Sequence, residues 1–159
     1  MEIRPIQSGD NKQMARIIRD SLEAVGVDKP GTAYFDPSLD DLAKAYGQDQ
    51  SSAYFVVVEN DQVLGGAGFG KITDAICELQ KCYVLENARG QGIGRKLLEQ
   101  VIVSSGEAGY DKIYLETTEV LAQALSLYES LEFKHMDAPI ANDNGHHAMT
   151  IWMMKDLKR

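Results

Sequence analysis

Cysteine is scarce. The chain of 159 residues has two, Cys77 and Cys82, too few for the disulfide framework that staples small secreted domains. Five residues apart in what reads as one strand, they stand roughly 16 Å from one another at a strand rise of about 3.3 Å per residue. That is beyond disulfide reach. Two free thiols suit a reducing compartment, so a cytoplasmic location is expected. Positive charge is also in deficit, with 16 Lys and Arg against 24 Asp and Glu and a formal net charge of -8. General nucleic-acid binding and a polybasic membrane surface are both excluded by that balance. No stretch approaches the roughly 20 apolar residues of a membrane span. The opening segment, Met1 to Ile6, is charged and leads into no apolar run, so no signal peptide is expected. No histidines or cysteines recur at ligand spacing, and no metal is expected.

What remains is an ordinary globular composition, 44% hydrophobic and 25% charged, of a length that suits one domain with its own core. Glu2 to Ile6 reads as a strand, and Ser8 or Asp10 as the cap of a following helix. Met14, Ile17, Ile18, Leu22 and Val25 lie on one face of that helix. Residues 26–37 carry prolines and glycines without periodicity and read as loop; 39–46 reads as a short helix. Ala53 to Glu59 is a β-branched and aromatic run typical of a buried strand. Asn60-Asp61 signals a hairpin that returns through Gln62 to Lys71. Four glycines in that returning strand predict a bulge or a close backbone approach, not a phosphate loop. A long strand over 74–84, a helix over 92–108 and a strand over 112–118 follow. Then come a helix over 121–131, a strand over 133–137 and a last strand over 147–154. An antiparallel meander followed by β-α-β units predicts a mixed α/β sheet, with the strands flanking the 92–108 helix parallel.

The chemistry concentrates in ELQKCYVLENARGQGIGR, residues 78–95. A strand ends near Val84, and Arg89-Gly90-Gln91-Gly92-Ile93-Gly94-Arg95 opens a helix. The first turn of a helix has unsatisfied N–H groups and a locally positive end. Glycines let the backbone approach a bulky anion, and Arg89 and Arg95 add full charges. Together they form a diphosphate cradle in an acidic protein. The spacing of Gly90, Gly92 and Gly94 does not fit the dinucleotide fingerprint, and Arg95-Lys96-Leu97 fails the nucleoside-triphosphate one.

The spacing R-x-x-G-x-G resembles the phosphate loop of the GNAT acyltransferase superfamily. The strand KIYLETT after the helix and the later ALSLYESLEF extend the likeness. The resemblance implies the GNAT-like acyl-CoA N-acyltransferase fold, a mixed, mostly antiparallel central sheet flanked by helices. It implies acetyl-CoA as co-substrate, gripped by residues 89–95, and a small-molecule or peptide amine as acceptor. The backbone near Cys82, Tyr83 and Val84 then borders the pantetheine arm and the thioester oxygen. It also admits a homodimer. Departures are Glu86 where the family often has Pro, Leu121 where it often has Asn, and Glu132 in place of the Gly of the usual Gly-Phe pair. Another geometry is therefore expected at the Glu132 turn.

Tyr128 matches the family tyrosine that protonates the departing thiolate; its spacing also fits a core tyrosine. Glu78 matches a strand glutamate that some members use as base, and partial burial there would raise its pKa. Glu116 lies late in the neighbouring strand, where it can orient an amine or face solvent. The acceptor wall is expected in residues 28–46, with Tyr34, Phe35, Asp36, Asp40 and Asp41 suited to a cationic amine. His146 and His147 flank the last strand, either at the acceptor pocket or on a surface turn. Alternative readings are a non-catalytic acyl-CoA-binding module and a nucleotide-binding protein using the same loop.

Overall fold

The computed structural model describes residues 1–140 and 149–157. Its elements in chain order are β1 (Glu2–Pro5), α1 (Asn11–Ala24), α2 (Leu42–Ala45), β2 (Ala53–Glu59), β3 (Gln62–Lys71) and β4 (Ile76–Val84). They continue with α3 (Ile93–Glu107), β5 (Lys112–Thr117), α4 (Ala122–Ser130), β6 (Lys134–Met136) and β7 (Ile151–Asp156). The strands form one seven-stranded sheet in the order β1-β2-β3-β4-β5-β7-β6. β4 and β5 are parallel, as expected for strands joined through a helix; the other neighbours are antiparallel.

Hydrophobic periodicity sets which helix covers which face. Met14, Ile17, Ile18 and Leu22 of α1 pack with Leu39, Leu42, Tyr54 and Val56 on one face of the sheet. Leu97, Leu98 and Val101 of α3 pack with Ile113, Leu115 and Met153 on the other. Met14, Ile18, Leu39, Leu97 and Leu98 are wholly buried, each burial stabilising by about 1.5–3 kcal/mol. The hairpin between β2 and β3 turns through Asn60 and Asp61, both at positive φ (52° and 65°), the tight turn such a dipeptide favours.

Four local expectations change. Asp10 does not cap α1 with its side chain. Its carboxylate instead accepts from the Gln7 N–H at 2.8 Å and pairs with both Arg4 guanidinium nitrogens. The expected 39–46 helix is split, because Asp36 caps a 3-10 turn over Pro37–Asp41 and leaves α2 a single turn. The last strand starts at Ile151, since its register follows β5 from Thr117↔Ile151 to Lys112↔Asp156. Finally, Glu132 keeps a glycine-like backbone, with φ at 70°, in the tight turn that returns the Phe133 N–H to the Tyr128 carbonyl.

The glycines of β3 make room, as expected. A Cβ on Gly66 would stand 2.6 Å from the Tyr54 ring. Opposite them β4 is bulged. Gly66 pairs with Tyr83 but Gly68 with Gln80, so β4 carries an extra residue there, and Lys81 adopts φ 52°. Its carbonyl is satisfied inside the protein by the Tyr54 hydroxyl, which donates to it at 2.7 Å. The bulge changes the facing of everything beyond it. Cys77 and Cys82, five apart, would face opposite ways in a regular strand; here both join the α3 side.

Candidate active site

β4 and β5 are neighbours over a short distance. They pair at Ile76↔Lys112, Cys77↔Ile113 and Glu78↔Tyr114, and no further. β4 then continues to Val84 along β3, while β5 continues to Thr117 along β7. The two strands part like the arms of a V. Beyond Glu78, β4 has no strand partner on the β5 side among the described residues.

Glu78 stands where the arms separate, and is 2% exposed. Its Oε1 accepts from Gln80 Nε2 at 2.9 Å. Gln80 Oε1 accepts in turn from the Tyr46 hydroxyl at 2.5 Å. Tyr46 thus fixes which way the Gln80 amide faces, presenting its NH2 to the carboxylate. On β5, Glu116 Oε2 accepts from the Tyr114 hydroxyl at 2.8 Å. Glu78 and Glu116 meet in one small cavity of about 50 Å³, together with Thr32, Ala33, Tyr83 and Met149.

On the opposite face, Tyr128 of α4 is buried and packs against Phe133 with the rings tilted at 58° and their centroids 5.9 Å apart. Its hydroxyl has no hydrogen-bond partner among the described residues. Burial pushes this phenol well above its ordinary pKa, and the electrostatic influence of Cys82 and Tyr83 adds to that. Tyr128 therefore holds its proton at neutral pH. Burial also raises the Cys82 thiol to about 12, so it is an inert apolar group.

At the end of β4, Arg89 donates through Nε to the Val84 carbonyl at 3.2 Å and through its guanidinium to the Ser21 hydroxyl at 3.4 Å. Gly90 and Gly92 take φ 82° and 78°, a backbone region that costs other residues strain. Gly92 is the N-cap of α3 and supplies no side-chain cap. The first N–H groups of a fifteen-residue helix are thus left open beside Arg95 and Lys96. Gln91 is exposed. The Ile93 side chain is buried in the core, which leaves its backbone N–H to the loop. Gly94 faces Leu127 of α4, 3.2 Å from where a Cβ would stand. Arg95 donates to the Ser130 hydroxyl at 2.8 Å.

Of the expected acceptor wall, Tyr34 turns its hydroxyl to Glu23 at 2.9 Å, and Phe35 lies 59% exposed against the Tyr34 ring. Thr32 and Ala33, just before them, are the loop residues that line the cavity. Asp40 pairs with Arg19 and Asp41 accepts from Asn11; both tie the loop to α1. His146 and His147 lie outside the described residues.

Sequence reading passed over Lys81, Gln80 and Tyr46. A signal was present: in ICELQKCYV the charged Lys81 breaks the alternation of Glu78 and Gln80, which is how a bulge reads in sequence. Lys81 Nζ lies 2.9 Å from Asp36 Oδ2, with its side chain only 5% exposed, and 5.7 Å from the centre of the Tyr46 ring. Burial alone would lower the lysine's pKa; Tyr46 and Asp36 outweigh it and the net shift is upward. Burial would likewise raise Asp36, but Lys81 and the Ser38 donors bring it down to about 2.

Residues 13–133 match the sequence profile of the acetyltransferase (GNAT) family. The uncharacterized N-acetyltransferase YjgM of Escherichia coli is 38% identical over 160 residues, covering 98% of this chain and 94% of that protein. This chain belongs to the acetyltransferase (GNAT) family. A GNAT acetyltransferase of Staphylococcus aureus Mu50 superposes with a TM-score of 0.85 at 20% identity, covering 99% of each chain. The structure of yncA from Salmonella typhimurium with its cofactor acetyl-CoA superposes at 0.77 and 23% identity, covering 100% of this chain and 95% of that one. As a GNAT protein the chain is an acyltransferase. Among the described residues no cluster of His, Cys, Asp or Glu is arranged to hold a metal ion, and no helix is long and apolar enough to cross a membrane.

Proposed function

We propose that this protein transfers the acetyl group of acetyl-CoA to a primary amine of a small molecule or peptide, by direct attack of the amine on the thioester. The observation that carries the reading is the convergence of Glu78 and Glu116 on one cavity at the mouth of the β4–β5 cleft, where the acceptor amine is to lie. The acetyl-CoA bound to the Salmonella relative supports the co-substrate.

The residues of 89–95 receive the pyrophosphate: the open N–H groups of α3 donate, and Arg89, Arg95 and Lys96 neutralise charge. The pantetheine arm lies along β4 past Cys82, whose raised pKa keeps it from competing as a nucleophile. An alkylamine has a pKa near 10.4, so it arrives protonated and must lose a proton to attack. Glu78 accepts that proton, held in place by Gln80, and Glu116 helps to orient the amine. Backbone N–H groups near Tyr83 and Val84 stabilise the developing oxyanion. Tyr128 gives its proton to the departing thiolate.

A binding module without turnover is not favoured, because the relatives are named as N-acetyltransferases. The reading is tested by following thiol release from acetyl-CoA across a panel of amines, with Glu78→Gln beside the parent. Turnover with at least one amine, and loss of the acidic limb of the pH–rate profile in Glu78→Gln, are expected. An unaltered acidic limb would remove Glu78 as the base.

A further inference from the structure

A second, larger cavity of about 270 Å³ adjoins the first. Gln80 and Lys81 line both. Beyond them its walls include Asp36, Ser38, Ser52 and Lys71. Its size is near the lower end of small-molecule sites, and its chemistry is unlike that of the Glu78–Glu116 cavity.

The carboxylate and amide oxygen acceptors in this cavity are already engaged. Asp36 accepts from Lys81 Nζ at 2.9 Å, and from the Ser38 N–H and hydroxyl at 2.9 and 2.8 Å. Gln80 Oε1 is taken by Tyr46, and Gln80 Nε2 is turned away to Glu78. Donors are in excess: an ammonium has three protons, and Lys81 gives one to Asp36 and one to the Tyr46 hydroxyl, which leaves one. The Ser52 hydroxyl adds another donor. Lys71 pairs with Asp74 at 2.7 Å, but those side chains are 49% and 97% exposed. Such a surface pair is held by only about 0–1 kcal/mol, so Lys71 can turn to a better partner. Lys81 and Asp36 balance one another, so the excess positive charge of the walls is that of Lys71 once it turns from Asp74. The matching ligand group is a monovalent anion.

We propose that the acceptor is an amine that also carries a carboxylate, its amine in the Glu78–Glu116 cavity and its carboxylate in the Lys71–Lys81 cavity. This rests on the acetyl-transfer reading above and narrows its acceptor class. The bulge at Lys81 makes the arrangement: it turns Gln80 and Lys81 to the same face, so the lysine follows directly on the residues holding Glu78. Gln80 lines both cavities, so an acceptor that reaches from one to the other must pass its side chain. An ω-amino acid fits that reach better than an α-amino acid.

The test has a kinetic arm and a binding arm. In the first, acetyl transfer to ω-amino acids of increasing chain length is compared with transfer to alkylamines of the same length. A preference of about tenfold or more in kcat/KM for the amino acids is expected at the best length. In Lys71→Gln, shown to be folded by thermal melting, the ratio falls towards one. Loss of a merely structural side chain would lower both rates alike. Asp74→Asn, which frees Lys71 from its surface partner, keeps the preference. Equal rates with and without the carboxylate would overturn the proposal. If no amine is acetylated at all, the transfer reading fails and the binding arm still decides this one. Calorimetry with a simple alkanoate is expected to show binding that Lys71→Gln weakens, and no binding, or binding that Lys71→Gln leaves unchanged, would overturn it.

Discussion

Lys81 Nζ and Asp36 Oδ2 lie 2.9 Å apart, joining the bulge of β4 to the loop that precedes α2. The pair ties that loop to the strand that holds Glu78. Lys81 also pays a backbone cost for its place, at φ 52°, and the buried ion pair is what keeps its charge inside. A buried pair is a weak source of net stability, yet removing one partner leaves an uncompensated charge.

The pair makes stability depend on pH in acid. Asp36 has a native pKa of about 2 against an ordinary 3.8. Between those values the unfolded chain binds more protons than the native one, so stability falls as pH falls. The contribution is complete above about pH 4 and lost as pH drops through about 2; it amounts to on the order of 2 kcal/mol. Urea denaturation of the parent and of Asp36→Asn at a series of pH values checks this. The gap between the two should close in acid, and a constant gap would assign the effect to another carboxylate.

Tyr128→Phe separates a catalytic tyrosine from a core tyrosine. Its hydroxyl has no partner among the described residues, so removing it should leave the urea midpoint unchanged or slightly raised. If it protonates the thiolate, kcat should fall by about 10²-fold or more with the KM for acetyl-CoA little altered. A stable variant with parental kcat would leave Tyr128 as packing alone.

Gly92→Ala probes the loop before α3. At φ 78° a Cβ costs about 1 kcal/mol, although the space around it is open. The expected outcome is a modest loss of stability and a raised KM for acetyl-CoA, with the KM for the amine much less affected. Steady-state kinetics in both substrates would show the difference.

Glu132→Gly should stabilise the protein. Glu132 sits at φ 70° and is exposed; its Lys155 neighbour is 4.0 Å away, too distant to compensate much. Relief of the left-handed strain is expected to raise the unfolding free energy by up to about 1 kcal/mol. A lowered urea midpoint would mean that the Glu132 side chain does more than occupy the turn.

Much of this was legible along the chain because it depends on near neighbours. β2 and β3 fell on the expected residues, since β-branched runs and an Asn-Asp turn act over a few positions. The glycine loop before α3 was legible for the same reason: R-x-x-G-x-G is a local pattern that needs only a strand before it and a helix after it. The Glu132 turn misled, because the expectation treated a preference for glycine as a requirement, and the packing of Phe133 against Tyr128 holds the turn regardless.

The amino-acid sequence by itself determined the acidic balance, the strand and helix periods, the glycine loop, and thereby the family. Only the tertiary structure decided what faces what. A single extra residue in β4 reversed the facing of the strand beyond it, brought Cys77 and Cys82 to one side, and drove Lys81 inward to meet Asp36 from a loop far away in the chain. Likewise the parting of β4 from β5 after Glu78 arises from each strand's other neighbour. Side-chain facing has a period of two, so one inserted residue changes it entirely. The propensities that sequence reports are almost blind to such an insertion.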